Sequence, residues 1–461
     1  MAADFSRSRR NFLTLVGAGV TGVYAGESAQ GQPQGDPPNI IWIMADDAGW
    51  NDFGCYGHPT VSTPNIDQIA SEGVRFTNAF VTTPQCSPSR SSTWTGQYAH
   101  TLGTEDLHVP LPRDIPMITD YLSEQNYFTG NIGKLHLGKQ NRNRFDYIIG
   151  EITDWRRFMN RRPKDRPFFL TLGFHQPHRP YVKNRSALKH DPEQSVIPPY
   201  LPDTRKSRLD MARYYDEITI MDTEIGRLLK HLRNHNIDEN TIIVFWSDNG
   251  SPFPRAKGFL YDAGIGTPLI IRWKNGFEPG VRQGLTSTLD IAPTMLDILG
   301  IEPGEEMQGE SFLSQILDEN AQGREYIFTE RNWHDIDDHV RSVRTNRYKY
   351  IRNYFPREPY PLPADVFKSP TFQDMRVMRD AGTLTLEQML MFRWPRPDEE
   401  LYDLYNDPNE FHNLAEDEAY QDVLQDLRTR TEQWQEETED VPPAKRKPNR
   451  YDYETGDQLQ S

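Results

Sequence analysis

The stretch Asn39-Ile40-Ile41-Trp42-Ile43-Met44-Ala45-Asp46-Asp47 decides how this chain folds. Residues 39–44 form a near-continuous apolar run with no polar alternation. That is the pattern of a strand buried on both faces, as in parallel sheets covered by helices. The run ends on two carboxylates. Further along, the same design recurs three times. Residues 127–132 lead into Gly133-Lys134-Leu135-His136-Leu137-Gly138, residues 167–174 into His175-Gln176-Pro177-His178, and residues 241–246 into Ser247-Asp248-Asn249-Gly250.

Helical signals lie between these runs. Thr63-Pro64 supplies an N-cap and a first-turn proline ahead of Ile66, Ile69 and Ala70. Residues 207–234 carry Ile218, Ile225, Leu228, Leu229 and Leu232 at helical spacing, a long amphipathic cover for a sheet. A further strand over 268–273 precedes a helix over 289–299. The alternation predicts an α/β fold, a doubly wound and mostly parallel sheet. From about residue 325 the pattern changes. The stretch Arg341-Ser342-Val343-Arg344-Thr345-Asn346-Arg347-Tyr348-Lys349-Tyr350-Ile351 reads as two short, half-exposed strands, and 420–436 as a helix with Val423, Leu424, Leu427 and Trp434 available for packing. The expected organisation is a catalytic domain over 38–324, a smaller C-terminal α+β domain over 325–442 and a polar, disordered tail over 443–461.

The N-terminus carries Ser8-Arg9-Arg10-Asn11-Phe12-Leu13 and a mild apolar run over 15–25, which resembles a twin-arginine export signal and is too short for a membrane span. A signal over 1–29 and a flexible linker over 30–37 are expected, with export to the periplasm or beyond. The formal charge of −16 argues against a general nucleic-acid binder. With two cysteines, Cys55 and Cys86, a disulfide framework is excluded. Cys55 reads as a small buried hydrophobe.

In open parallel sheets, ligands bind at the carboxyl ends of strands. Asp46-Asp47, Lys134 with His136, His175 with His178, and Asp248-Asn249 therefore converge on one crevice. Asp46, Asp47, Asp248 and Asn249 offer only oxygen donors, which selects a hard cation, Ca²⁺ ahead of Mg²⁺, over zinc. Cys86-Ser87-Pro88-Ser89-Arg90 joins them. Its proline starts a helix, so Cys86 sits just ahead of a helix N-terminus, and Arg90 adds a planar donor fork suited to a tetrahedral oxyanion.

Together these motifs resemble the sulfatase family: D-D after the first strand, C-x-P-x-R, G-K-x-H-x-G, H-x-P-H and D-N-G stand here in family order. The resemblance implies an alkaline-phosphatase-like fold and the oxidation of Cys86 to formylglycine by a formylglycine-generating enzyme. It also implies a metal held by Asp46, Asp47, the modified residue 86, Asp248 and Asn249. An alkaline-phosphatase-type enzyme would need histidine-rich ligands for two zinc ions, and none surround Asp248. By role, the resemblance assigns Arg90 and the metal to the sulfuryl oxygens and Asp248 to deprotonating the nucleophile. Lys134 holds the hydrate, His178 with Lys257 serves the leaving group, and His136 removes the proton that lets sulfate depart.

The runs Asp248-Asn249-Gly250-Ser251-Pro252-Phe253-Pro254 and Ser369-Pro370-Thr371-Phe372-Gln373-Asp374 look like the N-sulfoglucosamine sulfohydrolase (sulfamidase) branch, although Lys257 stands where that branch has arginine. The implied substrate is a sulfated glycan, with N-sulfated glucosamine at the non-reducing end of heparin or heparan sulfate. His175, Asp106, His108 and His334 are candidate sugar contacts. An O-sulfatase on another sulfated sugar or aryl ester, an unmodified sugar-binding relative, and assembly as a homodimer all stay open.

Overall fold

The computed structural model describes residues 36–181 and 189–459. The expected signal over 1–29 lies outside the described residues, as does the expected linker except for Asp36 and Pro37.

The first apolar run forms β1 (Asn39–Asp46), buried from Ile40 to its end. β1 lies inside an eight-stranded sheet with β2 (Val74–Phe76), β3 (Phe128–Gly133), β4 (Tyr147–Ile149), β5 (Phe168–Pro177), β6 (Thr241–Ser247), β7 (Leu269–Arg272) and β8 (Gly280–Arg282). The strand order is β4-β3-β5-β1-β6-β7-β2-β8. β1 pairs in parallel with β5 and β6, placing Ile40 beside Phe169 and Ile242. Only β7 runs antiparallel to its neighbours β6 and β2. The sheet is therefore mostly parallel, as expected.

Alternation along β1 splits the core in two. Ile41 and Ile43 face the long helix α3 (Arg205–Asn234) through residues such as Leu228 and Leu229. Ile40, Trp42 and Met44 face the other side, with α2 (Cys86–Thr95) and α4 (Ile291–Ile298). Trp42 is the hub there, edge-on to Trp94, Phe169 and Trp246 at 5.3, 5.2 and 5.3 Å.

Helix α1 (Pro64–Ser71) starts where expected, but Thr63 does not cap it. Its hydroxyl donates to Asp67 at 2.9 Å. The orphan N–H groups of Asn65 and Ile66 instead donate to Asp222 of α3, at 3.0 and 2.8 Å.

The second sheet is antiparallel, in the order β9 (Ile327–Arg331), β10 (Val340–Arg344), β11 (Tyr348–Asn353) and β12 (Glu399–Asp403). The helix α5 (Pro370–Asp380) follows β11 in the chain, capped by Ser369 Oγ, which accepts from Phe372 N. A last helix, α6 (Gln421–Glu437), packs Leu424 and Leu427 on Val343, Tyr350 and Leu401.

Two expectations are corrected here. β10 is buried at all five positions rather than half-exposed. Arg341 is bidentate to Asp440 and Arg344 pairs with Asp262, so the charges are neutralised inside. The tail is also not a free polar segment. Tyr451 is buried with its ring 5.0 Å from Phe367, Trp333 Nε1 donates to the Pro448 carbonyl at 2.9 Å, and Arg450 meets Asp335 at 2.8 Å. Polar composition hid the aromatic anchor.

Candidate active site

Helix α2 is buried over its whole length, with Cys86 as its first residue. Gly96 closes the helix in the left-handed region at φ 67°. Cys86 Sγ lies 3.5 Å from Asp46 Oδ1, 3.6 Å from Asp47 Oδ1 and 3.5 Å from Asn249 Oδ1. Three oxygens from the ends of β1 and β6 thus surround one side-chain position. Asp47 holds a left-handed backbone, φ 70°, a strained state for a non-glycine residue that clusters at functional sites. It is fixed by its own N–H, which donates to Asp248 Oδ1 at 3.1 Å.

Cations ring the carboxylates. Lys134 Nζ sits 2.7 and 2.6 Å from the two oxygens of Asp46. Arg90 donates from Nε to Asp248 at 2.7 Å and from Nη1 to the Lys134 carbonyl at 2.9 Å. Lys257 Nζ reaches Asp47 at 2.7 Å and Asp365 at 2.9 Å, and His178 Nε2 lies 3.7 and 3.8 Å from the same two carboxylates. Asp46, Asp47, Cys86 and His178 have ligand atoms within 4.8 Å of one another, a group that could hold a metal ion. Asp248 lies beside it with both oxygens engaged, by Arg90 and by the Asp47 N–H.

The electrostatics are uneven. Burial works against the Asp46 carboxylate, but Lys134, His178, Arg90 and Lys257 outweigh it and hold its pKa well below the usual range. Burial pushes the Asp248 carboxyl up to about 6 against the pull of Arg90. Burial also drives the Cys86 thiol well above its ordinary value, which disfavours the thiolate nucleophile of ordinary cysteine chemistry. One guanidinium nitrogen, Arg90 Nη2, is buried without a hydrogen-bond partner among the described residues. An unmet donor at a crevice floor fits the oxygen of an anion.

The outer residues are distributed unequally. His175 is exposed at the end of β5, near enough to feel Asp46 and Lys134. His108 contacts His136 rather than standing alone, Nδ1 to Nε2 at 2.7 Å. His334 is buried against Asp335 at 3.1 Å. Asp106 accepts from the Trp333 N–H at 3.2 Å and pairs with Lys447, which ties down the turn before His334. Sequence reasoning missed Asp365. It comes from the short helix Ala364–Phe367, far from every strand end, and no local motif marks it.

A model of the sulfatase family matches residues 38–301. The chain belongs to the sulfatase family. A second model, N-sulphoglucosamine sulphohydrolase, C-terminal, matches residues 255–390 of this sulfatase. An ulvan-active sulfatase of Formosa agariphila is 33% identical, covering 89% of this chain and 76% of that protein. The human N-sulphoglucosamine sulphohydrolase is 30% identical, covering 88% of this chain and 91% of the human one. Among solved structures, a protein in complex with its substrate D-glucosamine-2-N,6-O-disulfate superposes with a TM-score of 0.70 at 21% identity, covering 88% of this chain and 99% of that chain. The phosphonate monoester hydrolase of Agrobacterium radiobacter gives 0.67 at 19% identity, covering 87% and 96%. At such identities the two superpositions speak for the fold alone, the alkaline-phosphatase and sulfatase architecture.

Proposed function

We propose that this sulfatase is a sulfamidase, hydrolysing the N-sulfate of non-reducing-end glucosamine in heparin or heparan sulfate fragments. The observation that carries the reading is the position of the second family match. It spans 255–390 and so includes Asp365, whose carboxylate meets Lys257 at the site, although Lys257 itself stands where that branch has arginine. In this reading the matched segment supplies groups that serve the leaving group. The likeness to an ulvan-active sulfatase favours a second reading, an O-sulfatase acting on another sulfated glycan.

The donor set fits a divalent cation, because Asp46, Asp47 and Asn249 already turn oxygens toward one point. With Asp248 and residue 86 they would hold Ca²⁺, which would neutralise charge on the sulfuryl oxygens. Formylglycine at position 86 would supply the oxygen nucleophile that the buried thiol is not. Arg90 and Lys134 grip and orient the anion, using the unmet Nη2 and the Nζ beside Asp46. Asp248, held by Arg90 and by the Asp47 N–H, would help to deprotonate the nucleophile. His178 delivers a proton to the departing nitrogen, with Lys257 stabilising charge beside it. Export through the twin-arginine signal, read from Ser8 to Leu13, completes the proposal.

Sulfate release from a defined panel of sulfated mono- and disaccharides tests it. Fastest release from N-sulfated glucosamine is expected. Efficient release from a 6-O-sulfated, N-acetylated sugar with none from the N-sulfated one would give the site to the O-sulfatase reading.

A further inference from the structure

His108 and His136 form an imidazole pair tied by backbone to Ser87, the residue after Cys86. Nδ1 of His108 lies 2.7 Å from Nε2 of His136, with the rings tilted by 44° and their centroids 4.9 Å apart. The pairing is built into the backbone. Both residues hold left-handed conformations, φ 70° at His108 and φ 62° at His136. The His108 N–H is anchored on Ser87 Oγ at 2.8 Å, one residue from Cys86.

One hydrogen lies between the two nitrogens, and its owner sets what the rest of His136 can do. The second nitrogen of that ring, Nδ1, is buried with no partner among the described residues. If His108 donated, His136 would carry its proton on this buried Nδ1, an orphan N–H of a kind folded proteins rarely keep. It would also aim a positive hydrogen into surroundings set by the Lys134 and Arg90 cations. If His136 donates from Nε2, its buried Nδ1 is a bare lone pair and His108 keeps its hydrogen on Nε2 at an exposed ring. The second assignment meets the fewer penalties.

We propose that His108 is a positioning residue that holds His136 in the Nε2–H tautomer, leaving Nδ1 as the lone pair that receives a proton during turnover. Its part in turnover rests on the sulfatase mechanism above. In the hydrate of formylglycine 86 the proton would move from the free hydroxyl to Nδ1, the O–H electron pair would form the C=O bond, and the C–O bond to sulfate would break with its pair leaving on sulfate. The ring charge so formed is shared through the existing Nε2–H bond to neutral His108, and the proton then passes to water. Burial, with Lys134, Arg90 and His108 beside it, pushes the resting His136 down to about 2, which keeps the ring neutral at rest so that the tautomer is defined. His108 thereby has a different task from the sugar contact expected from sequence.

Long-range proton–nitrogen spectra of the full chain, with His136 assigned by loss of its signals in His136→Gln, read the tautomer directly. Wild type should show His136 protonated on Nε2 and bare on Nδ1. His108→Ala should move it to a mixed tautomer, and His108→Asn, whose amide oxygen falls near the Nδ1 position, should restore the wild-type pattern. Wild type protonated on Nδ1, or the same pattern in His108→Ala, would overturn the proposal. The spectra need no turnover, so they decide the tautomer even if the sugar panel rejects the sulfatase mechanism. In kinetics, His108→Ala should lower kcat by about tenfold or more with KM within about twofold, and His108→Asn should recover most of it. A raised KM at unchanged kcat would make His108 a sugar contact instead and overturn the assignment.

Discussion

The ammonium of Lys257 lies 2.9 Å from the carboxylate of Asp365, joining the loop after β6 to the short helix Ala364–Phe367. Lys257 is buried, and burial alone would discharge it. Asp365 and Asp47 reverse that and hold its pKa well above the ordinary value. The Lys257 charge is therefore maintained in part by a residue outside every expected motif.

Removing that partner should cost activity. Asp365→Ala is expected to lower kcat/KM by about 10- to 100-fold, because Lys257 and His178 both lose a carboxylate they share with Asp47. Asp374→Ala removes a carboxylate of α5 paired with the largely exposed Lys206, and should stay within about twofold. Steady-state kinetics on the two variants decide the matter, and a wild-type rate for Asp365→Ala would remove the residue from the mechanism.

The chemistry of position 86 can be read by mass. Burial raises the Cys86 thiol well above its ordinary range, so an unmodified cysteine is a poor nucleophile here. Peptide mass spectrometry of active protein should find an aldehyde in place of the thiol. Cys86→Ala should abolish sulfate release while keeping a cooperative thermal transition. Full activity with only the thiol present would end the formylglycine reading.

Much of this site was legible because four apolar runs each end in reactive side chains, and a parallel sheet gathers strand ends. Asp46, Asp47, Lys134 and Asp248 follow from that rule alone. Asp365 does not, since its neighbours Pro363 and Ala364 carry no periodicity and only tertiary folding delivers it to Lys257. The same limit hid the cap of α1. Thr63 has the right type and place, yet Asp222, 157 residues from Asn65, takes the bonds. The burial of β10 was not legible because an ion pair inside a protein and a charge in water look alike in sequence.

Metal binding should be visible without turnover. A cation that binds the folded state alone raises stability, by about 2.7 kcal/mol at a hundredfold excess over Kd. Chelated protein should melt lower, and Ca²⁺ should restore both Tm and activity. Asp47→Ala should abolish the Tm response, whereas an unchanged response would remove Asp47 from the ligand set.

Acid should unfold the second sheet's supports. Burial opposes ionisation of Asp440, but its bidentate bonds from Arg341 prevail and hold its pKa below the model-compound value of 3.8. Asp338, gripped by Arg396 and Arg331, is lowered too. Below pH 3.8 the unfolded chain then binds more protons than the folded one, so this stability is present above 3.8 and lost as the pH falls. Asp440→Asn should cost about 3–5 kcal/mol at neutral pH, by leaving Arg341 buried and half-paired, and should flatten the acid limb. Denaturant melts from pH 3 to pH 7 would show this, and an unchanged acid limb in Asp440→Asn would locate the acid sensitivity elsewhere.

A final prediction concerns a residue with no functional group. Gly173 lies in β5 beside the turn that leaves β3, where the Lys134 N–H donates to its carbonyl at 2.7 Å. A Cβ on Gly173 would stand 1.9 Å from the Lys134 carbonyl oxygen, closer than any real contact. That same oxygen accepts from Arg90 Nη1 at 2.9 Å. The backbone must therefore move, and the movement carries Lys134 away from Asp46 and Arg90 away from Asp248. A glycine in a strand often marks such a close backbone approach. Gly173→Ala should cost about 1–3 kcal/mol of stability and, because displacement of about 1 Å at a catalytic group costs on the order of 100-fold, should lower kcat far more than the lost stability explains. Kinetics at a temperature where the variant is fully folded separate the two effects. A folded Gly173→Ala with wild-type kcat would show that the Lys134 turn can shift without disturbing the Arg90 and Lys134 grip.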